Sequence, residues 1–406
     1  MVGNKANNRI STRLLALALA LVTSFALVAC GGLPDLPDLS FLDPTPPASS
    51  TSADEQAAPA PAVAPEPAPI DLSPKTGAGM DHGLAYDCLT PMQRAGYDHT
   101  LIELRAAPTE FTLDLSADDA ETVYYAVRDD HPELFWVEGY TYYDYGDHVK
   151  IEPYYVVDRA EIEVLSARID EICDPIVEEA AAKESTYEQV KAFYEWIILN
   201  TDYEAQEADQ NILGVFLDHR AVCAGYSRAF EHLCRRLRIP CGIVTGELED
   251  GEAHSWCLVT IDGVNTYVDV TWGDPFLVDD LGESTGNLSH QYLCLTTEEI
   301  LRDRTATRPE NGLPSCDSHA YDYYALRGCY VEDWGGDGYG MDAYISDAIA
   351  RGEYSVAVKF AREEDFEAAR WYVESGDIWY SELSEVAWQY RYSTNDYLRI
   401  LELSWE

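Results

Sequence analysis

The stretch from residue 220 to residue 268 leaves this chain little choice of fold. Its first part, RAVCAGYSRAFEHLCRRLRIP, places Tyr226, Ala229, Phe230, Leu233, Cys234 and Leu237 at helical spacing, and Pro240 stops the pattern. The period then switches to alternation in CGIVTGEL, HSWCLVTI and NTYVDVTW. Asp262 and Gly263 fall between the last two runs, a strong signal for a two-residue hairpin turn. A helix followed directly by antiparallel strands defines an α+β unit in which the helix packs on the sheet.

That unit carries three residues with complementary chemistry. Cys223 lies three residues before Tyr226, at the helix N-terminus, where unpaired N–H groups and the helix dipole favour a thiolate. Gly225 leaves room for close approach of another backbone or a substrate. A turn at 262 and 263 pairs Ile261 with Val264 and sets Trp256 opposite Asp269. His254 then becomes the diagonal neighbour of Asp269 on one face of the sheet, whereas a slip of one residue would separate them. A thiol nucleophile needs a base, and the base needs an orienting partner, so Cys223, His254 and Asp269 form a candidate catalytic triad. Cys234 sits eleven residues along the helix, about 16 Å away, and reads as a core or disulfide cysteine.

Four segments in order and spacing, VCAGYSRAF (222–230), IPCGIVTGEL (239–248), AHSW (253–256) and YVDVTWGDP (267–275), resemble the transglutaminase-like superfamily. DQNILGVFLDHRAVC upstream resembles the approach to the nucleophile in secreted bacterial members. Looser likeness extends to DDHPELFWV (129–137) and LPSCDSHAYDYYALRGCY (313–330). The resemblance implies a papain-type core with Cys223 as nucleophile, His254 as general base and acid, and Asp269 orienting the imidazole. The Cys223 backbone N–H would be the first oxyanion donor, and Gln210 is a candidate for the second by its chemistry alone. Trp256 and Trp272 lie near the site as packing groups, with a roof over substrate as the alternative.

The rest of the chain frames this core. Lys5, Arg9 and Arg13 precede an apolar run ending in LVAC at Cys30, so residues 1–29 read as a signal peptide; LVAC-Gly-Gly resembles a lipobox, with lipidation at Cys30. Cleavage at another position is the alternative. Residues 30–78 are rich in Pro, Ala, Ser and acids and form a solvated spacer. A small α+β module is expected over 79–157, the transglutaminase-like domain over 158–330, and a C-terminal α/β accessory module over 331–406. In the last, SVAVKF and LRILEL read as strands flanking a helix near 363–375.

The chain holds 73 Asp and Glu against 27 Lys and Arg, a balance that makes nucleic acid a poor partner. DWGGDGYGMDAY (333–344) lacks the ligand pattern of a calcium loop, and neither metal nor cofactor is expected. The leader implies the outer face of a bacterial membrane, an oxidising setting in which most of the ten cysteines are expected in disulfides. The function implied is a surface-anchored thiol enzyme acting on amide bonds through an acyl-cysteine intermediate. Hydrolysis of peptide or isopeptide bonds in extracellular or cell-wall material is favoured. Protein-glutamine transamidation and a non-catalytic binding module are the alternatives.

Overall fold

The computed structural model describes residues 82–205, 210–274, 288–307, 313–333 and 340–406. The leader, Cys30 and the spacer lie outside the described residues, as does the middle of the 333–344 stretch.

Thr90 and Gln93 close a capping box on helix α1 (Pro91–Ala106), and the Ser116 hydroxyl caps helix α2 (Ala117–Asp130). Between and after them run β1 (Phe111–Leu113), β2 (Val137–Asp144) and β3 (Val149–Tyr155), an antiparallel sheet of order β1-β3-β2. Helices α3 (Arg159–Ala181) and α4 (Thr186–Asn200) follow. Helix α5 (Cys223–Arg236) then buries Tyr226, Ala229, Phe230, Leu233 and Cys234.

The central sheet is built from β4 (Cys241–Leu248), β5 (Ala253–Ile261), β6 (Val264–Val268), β7 (Leu293–Leu295) and β8 (Arg304–Ala306). Its order is β8-β4-β5-β6-β7, antiparallel throughout. Asp262 and Gly263 both take positive φ, 49° and 85°, as the tight hairpin turn requires. The β5–β6 register pairs Ile261 with Val264 and Cys257 with Val268, the pairing read from the turn. The apolar face of α5 lies against this sheet, and the same core continues through α1 to α4, so the N-terminal elements share it with the cysteine helix.

The C-terminal part adds β9 (Tyr330–Val331), α6 (Met341–Arg351), β10 (Ser355–Phe360), α7 (Glu363–Ser375), β11 (Tyr390–Asn395) and β12 (Ile400–Trp405). The sheet order is β9-β10-β12-β11. Two strands and α7 match the sequence reading; β11 and α6 are additional. This sheet has its own core on the helical side. Its other side is fastened to the central domain by buried Lys359, whose Nζ donates to Glu299 at 2.8 Å and Asp322 at 2.6 Å.

The described cysteines depart from expectation. Cys173, Cys223, Cys234, Cys241, Cys257, Cys294, Cys316 and Cys329 are free thiols, and most are buried singly or in hydrogen-bonded groups within the apolar core. A cysteine behaves as a small hydrophobe when packed this way, so burial accounts for their number without cross-links. No described helix is long and apolar enough to cross a membrane.

One glycine sets how closely β8 approaches the rest of the sheet. A Cβ on Gly246 would stand 1.9 Å from the Thr305 carbonyl oxygen and 2.7 Å from the Trp256 ring. Gly246→Ala therefore forces β8 outward, and urea denaturation should show a loss of about 1–3 kcal/mol, typical of overpacking. An unchanged midpoint would show that β8 tolerates displacement.

Candidate active site

Cys223 is the first residue of α5, and Val222 before it has no side-chain oxygen to cap the helix. The first-turn N–H groups therefore keep their field for the Cys223 sulfur, and its own N–H has no acceptor within the helix. The side chain hydrogen-bonds to the His254 imidazole and to both the hydroxyl and the backbone of Ser255. Burial pushes the thiol up, but the hydrogen bond and charge of His254, helped by Ser255, pull it below its ordinary value. Cys173, Cys234, Cys241, Cys257, Cys294 and Cys316 go the other way, all raised by burial. Cys223 is thus set apart by its surroundings, as a nucleophile must be.

His254 lies on β5, buried, with Nε2 2.8 Å from Oδ2 of Asp269. That contact occupies Nε2 and assigns Nδ1 to the sulfur. Desolvation opposes protonation of the ring, yet the Asp269 charge and hydrogen bond, with the Cys223 contact, raise its pKa to about 9. Asp269 follows β6 directly and is fully buried. Its Oδ1 accepts the Trp272 N–H at 3.1 Å. Burial pushes this carboxyl up, but His254 and Arg304 together hold it below the usual range. Both shifts run in the direction that favours a thiolate facing an imidazolium.

Arg304, on β8, was not legible as a site residue. Its side chain is fully buried, and Nη1 donates to the same Asp269 oxygen that His254 uses. Nε and Nη2 donate to Asp303 at 2.7 and 3.2 Å. The guanidinium lies 5.2 Å from the ring centre of Trp256, 5.0 Å from Trp272 and 5.5 Å from Tyr292. The two tryptophans therefore enclose this cation and serve as packing groups around it. RDRTAT offers no period that would mark Arg304 as buried, and its partners come from distant segments. Ser255 was missed for a similar reason, since a serine beside a histidine carries no pattern of its own.

Gln210 sits exposed in a turn, and among the described residues it makes no hydrogen bond to Cys223, His254 or Asp269. No cluster of His, Cys, Asp or Glu among the described residues has the geometry to hold a metal ion.

A family model described as the transglutaminase-like superfamily matches residues 174–272, the span from α3 to just past Asp269. The chain therefore carries a transglutaminase-like domain, with the α+β core of that class. Comparison with curated protein sequences gives no match. Among solved structures it is similar to a TGase, at 16% identity and a TM-score of 0.24, over 41% of this chain and 52% of that one. It is also similar to a candidate cysteine protease from Cytophaga hutchinsonii, at 18% identity and 0.24, over 35% and 64%. The periplasmic domain of TgpA from Pseudomonas aeruginosa matches at 16% and 0.22, over 32% and 59%. The chain spans less than two thirds of the length of each of these three proteins.

The two shifted groups define a pH window. Below the depressed Cys223 value the sulfur is protonated, and above about pH 9 His254 loses its proton, so the ion pair is populated between them. Alkylation of Cys223 by iodoacetamide should begin below the ordinary thiol range, and turnover should decline above about pH 9. His254→Ala should move the alkylation profile to higher pH, because burial then acts on the thiol without its partner; an unmoved profile would contradict the pairing. Asp269→Asn should fold yet lose roughly 10³-fold or more in turnover, as the imidazole loses its orienting charge. Near wild-type rates in the folded variant would remove Asp269 from the mechanism.

Proposed function

We propose that this protein is a surface-anchored thiol enzyme that cleaves amide bonds through an acyl-cysteine intermediate. The observation that supports this reading most directly is the buried Asp269 carboxylate, 2.8 Å from an imidazole that in turn hydrogen-bonds the Cys223 sulfur. In the proposed reaction the Cys223 thiolate attacks the carbonyl carbon, forming the S–C bond and moving charge onto oxygen. The Cys223 N–H at the helix start is aimed to receive that charge. Collapse breaks the C–N bond, and the amine leaves with the proton supplied by His254. Water then attacks the thioester, His254 takes its proton, and the S–C bond breaks to release the acid.

Hydrolysis of a peptide or isopeptide bond in extracellular or cell-wall material is the preferred outcome, with attachment through a lipid on Cys30. Transfer to an amine needs a nucleophile held beside the acyl-cysteine while water is excluded. The chain has only six lysines, Lys5 within the leader among them, which makes it a poor amine donor to itself. Retention of all three triad residues argues against a binding-only role.

The reading is tested by incubating the full chain with peptide and wall fragments and searching Cys223 for an acyl adduct by mass spectrometry. The adduct should form in the wild type and vanish in Cys223→Ala. With a glutamine peptide and a labelled primary amine, the deamidated glutamyl peptide should appear faster than the amide of the label. The reverse order would make the enzyme a transamidase.

A further inference from the structure

Outside the triad, the strongest unexplained feature near the chemistry is a fully buried cation. A lone arginine serving only to pack would cost several kcal/mol of desolvation, and it is kept in a site only where carboxylates answer it. Arg304 has two. Its Nη1 reaches Oδ2 of Asp269, and its Nε and Nη2 form a two-pronged pair with Asp303, the preceding residue. Tyr292 approaches from the segment before β7 and donates its hydroxyl to Asp303 at 3.3 Å. His254, on β5, lies across Asp269 from the guanidinium and shares the same carboxylate oxygen. The Cys223 sulfur has that imidazole and Ser255 as hydrogen-bond partners, and the Glu252 carboxylate, one residue before β5, acts on His254 by charge. Around the arginine, Trp256, Trp272 and Tyr292 supply ring faces and keep water away.

We propose that Arg304 is a positioning residue that fixes the Asp269 carboxylate for His254 and, through its enclosed positive charge, sets the pH at which the Cys223–His254 pair becomes reactive. Asp303 is the counterweight that determines how much of that charge the pair feels. The orienting part follows from geometry. With Oδ1 held by the Trp272 N–H and Oδ2 by Arg304, the carboxylate cannot rotate away from the imidazole. The electrostatic part follows from burial: a cation in a water-poor site lowers the pKa of every ionisable neighbour, thiol and imidazolium alike. Removing it should raise both. Removing its second counter-charge, Asp303, should lower both, because Asp269 is then left to answer the guanidinium alone.

This inference rests on the reading of Cys223 and His254 as the reactive pair, and its test needs no substrate. The pH dependence of iodoacetamide alkylation at Cys223 is followed by mass spectrometry of its peptide, in the full chain and in variants checked for a cooperative melt. Arg304→Met is expected to shift the profile upward by about 0.5–1.5 pH units, and Asp303→Asn to shift it downward. Arg304→Lys, which keeps the charge and loses the fork, is expected to stay near the wild-type profile. A merely structural arginine would change the melt and leave the profiles in place. Shifts of the same sign in Arg304→Met and Asp303→Asn, or no shift in either, overturn the proposal. Should Arg304→Met fail to fold, Asp303→Asn alone decides, and absence of a downward shift overturns it. An ordinary thiol profile in the wild type would instead sink the reactive pair itself, and this inference with it.

Discussion

Asp269 is a carboxylate with no access to water, and the surrounding structure is arranged to make that tolerable. Burying an unpaired ion costs several kcal/mol even after relaxation. Here both oxygens are answered, and each partner comes from a different part of the chain: the imidazole from β5, the guanidinium from β8, and a backbone N–H from the turn at Trp272. The strand order places β8 on one edge and β6 on the inner side of β7, so Arg304 must reach across β4 and β5 to meet Asp269. A long, flat, forked side chain meets that demand better than an ammonium would, because one end can grip Asp303 while the other holds Asp269.

That arrangement depends on exclusion of water, and the C-terminal sheet contributes to it. Leu398 and Ile400 belong to the same buried apolar cluster as Trp256, Trp272 and Tyr292. Asn395, at the end of β11, donates to Gln291 at 2.9 Å and to the Tyr292 hydroxyl at 3.4 Å. A short chain of contacts thus runs from the C-terminal sheet through Tyr292 and Asp303 to Arg304. The buried Lys359 with Glu299 and Asp322 pins this sheet in place, and breaking such a pair by removing one partner leaves uncompensated charge behind. What looks in sequence like an appended module is a wall of the site.

The parts of this site governed by local rules could be read directly from the residues. The stripe from Tyr226 to Leu237 predicts a helix because its period is 3.6, and Cys223 falls at its start for the same reason. The Asp262-Gly263 turn sets the β5–β6 register, and that register alone brings His254 to Asp269. The parts governed by distant pairing could not be read this way. Arg304 reaches Asp269 across 35 residues of sequence and two strands, with nothing in RDRTAT to distinguish a caged cation from a solvated one. The cysteines misled for the opposite reason: an inferred location argues for disulfides by their number, whereas their packing depends on which apolar face each one joins.

That packing explains how, in a chain with so many thiols, Cys223 is pulled below its ordinary value while the buried ones rise. Cys234 on the inner face of α5 and Cys241 and Cys257 on the strands beneath it are hydrogen-bonded in sequence to one another, and burial raises all three. A raised pKa starves a thiol of its nucleophilic form, and burial also denies it access to oxidants and electrophiles. Cys223 shares a helix with Cys234 but lies at the other end of the apolar stripe, where the helix field, Ser255 and the imidazolium all favour the anion. The eleven-residue separation, about 16 Å of helix, keeps the Cys223 sulfur out of disulfide reach of Cys234. The helix that carries Cys223 therefore also isolates it, and the contrast between Cys223 and Cys234 follows from where each lies along a single amphipathic face.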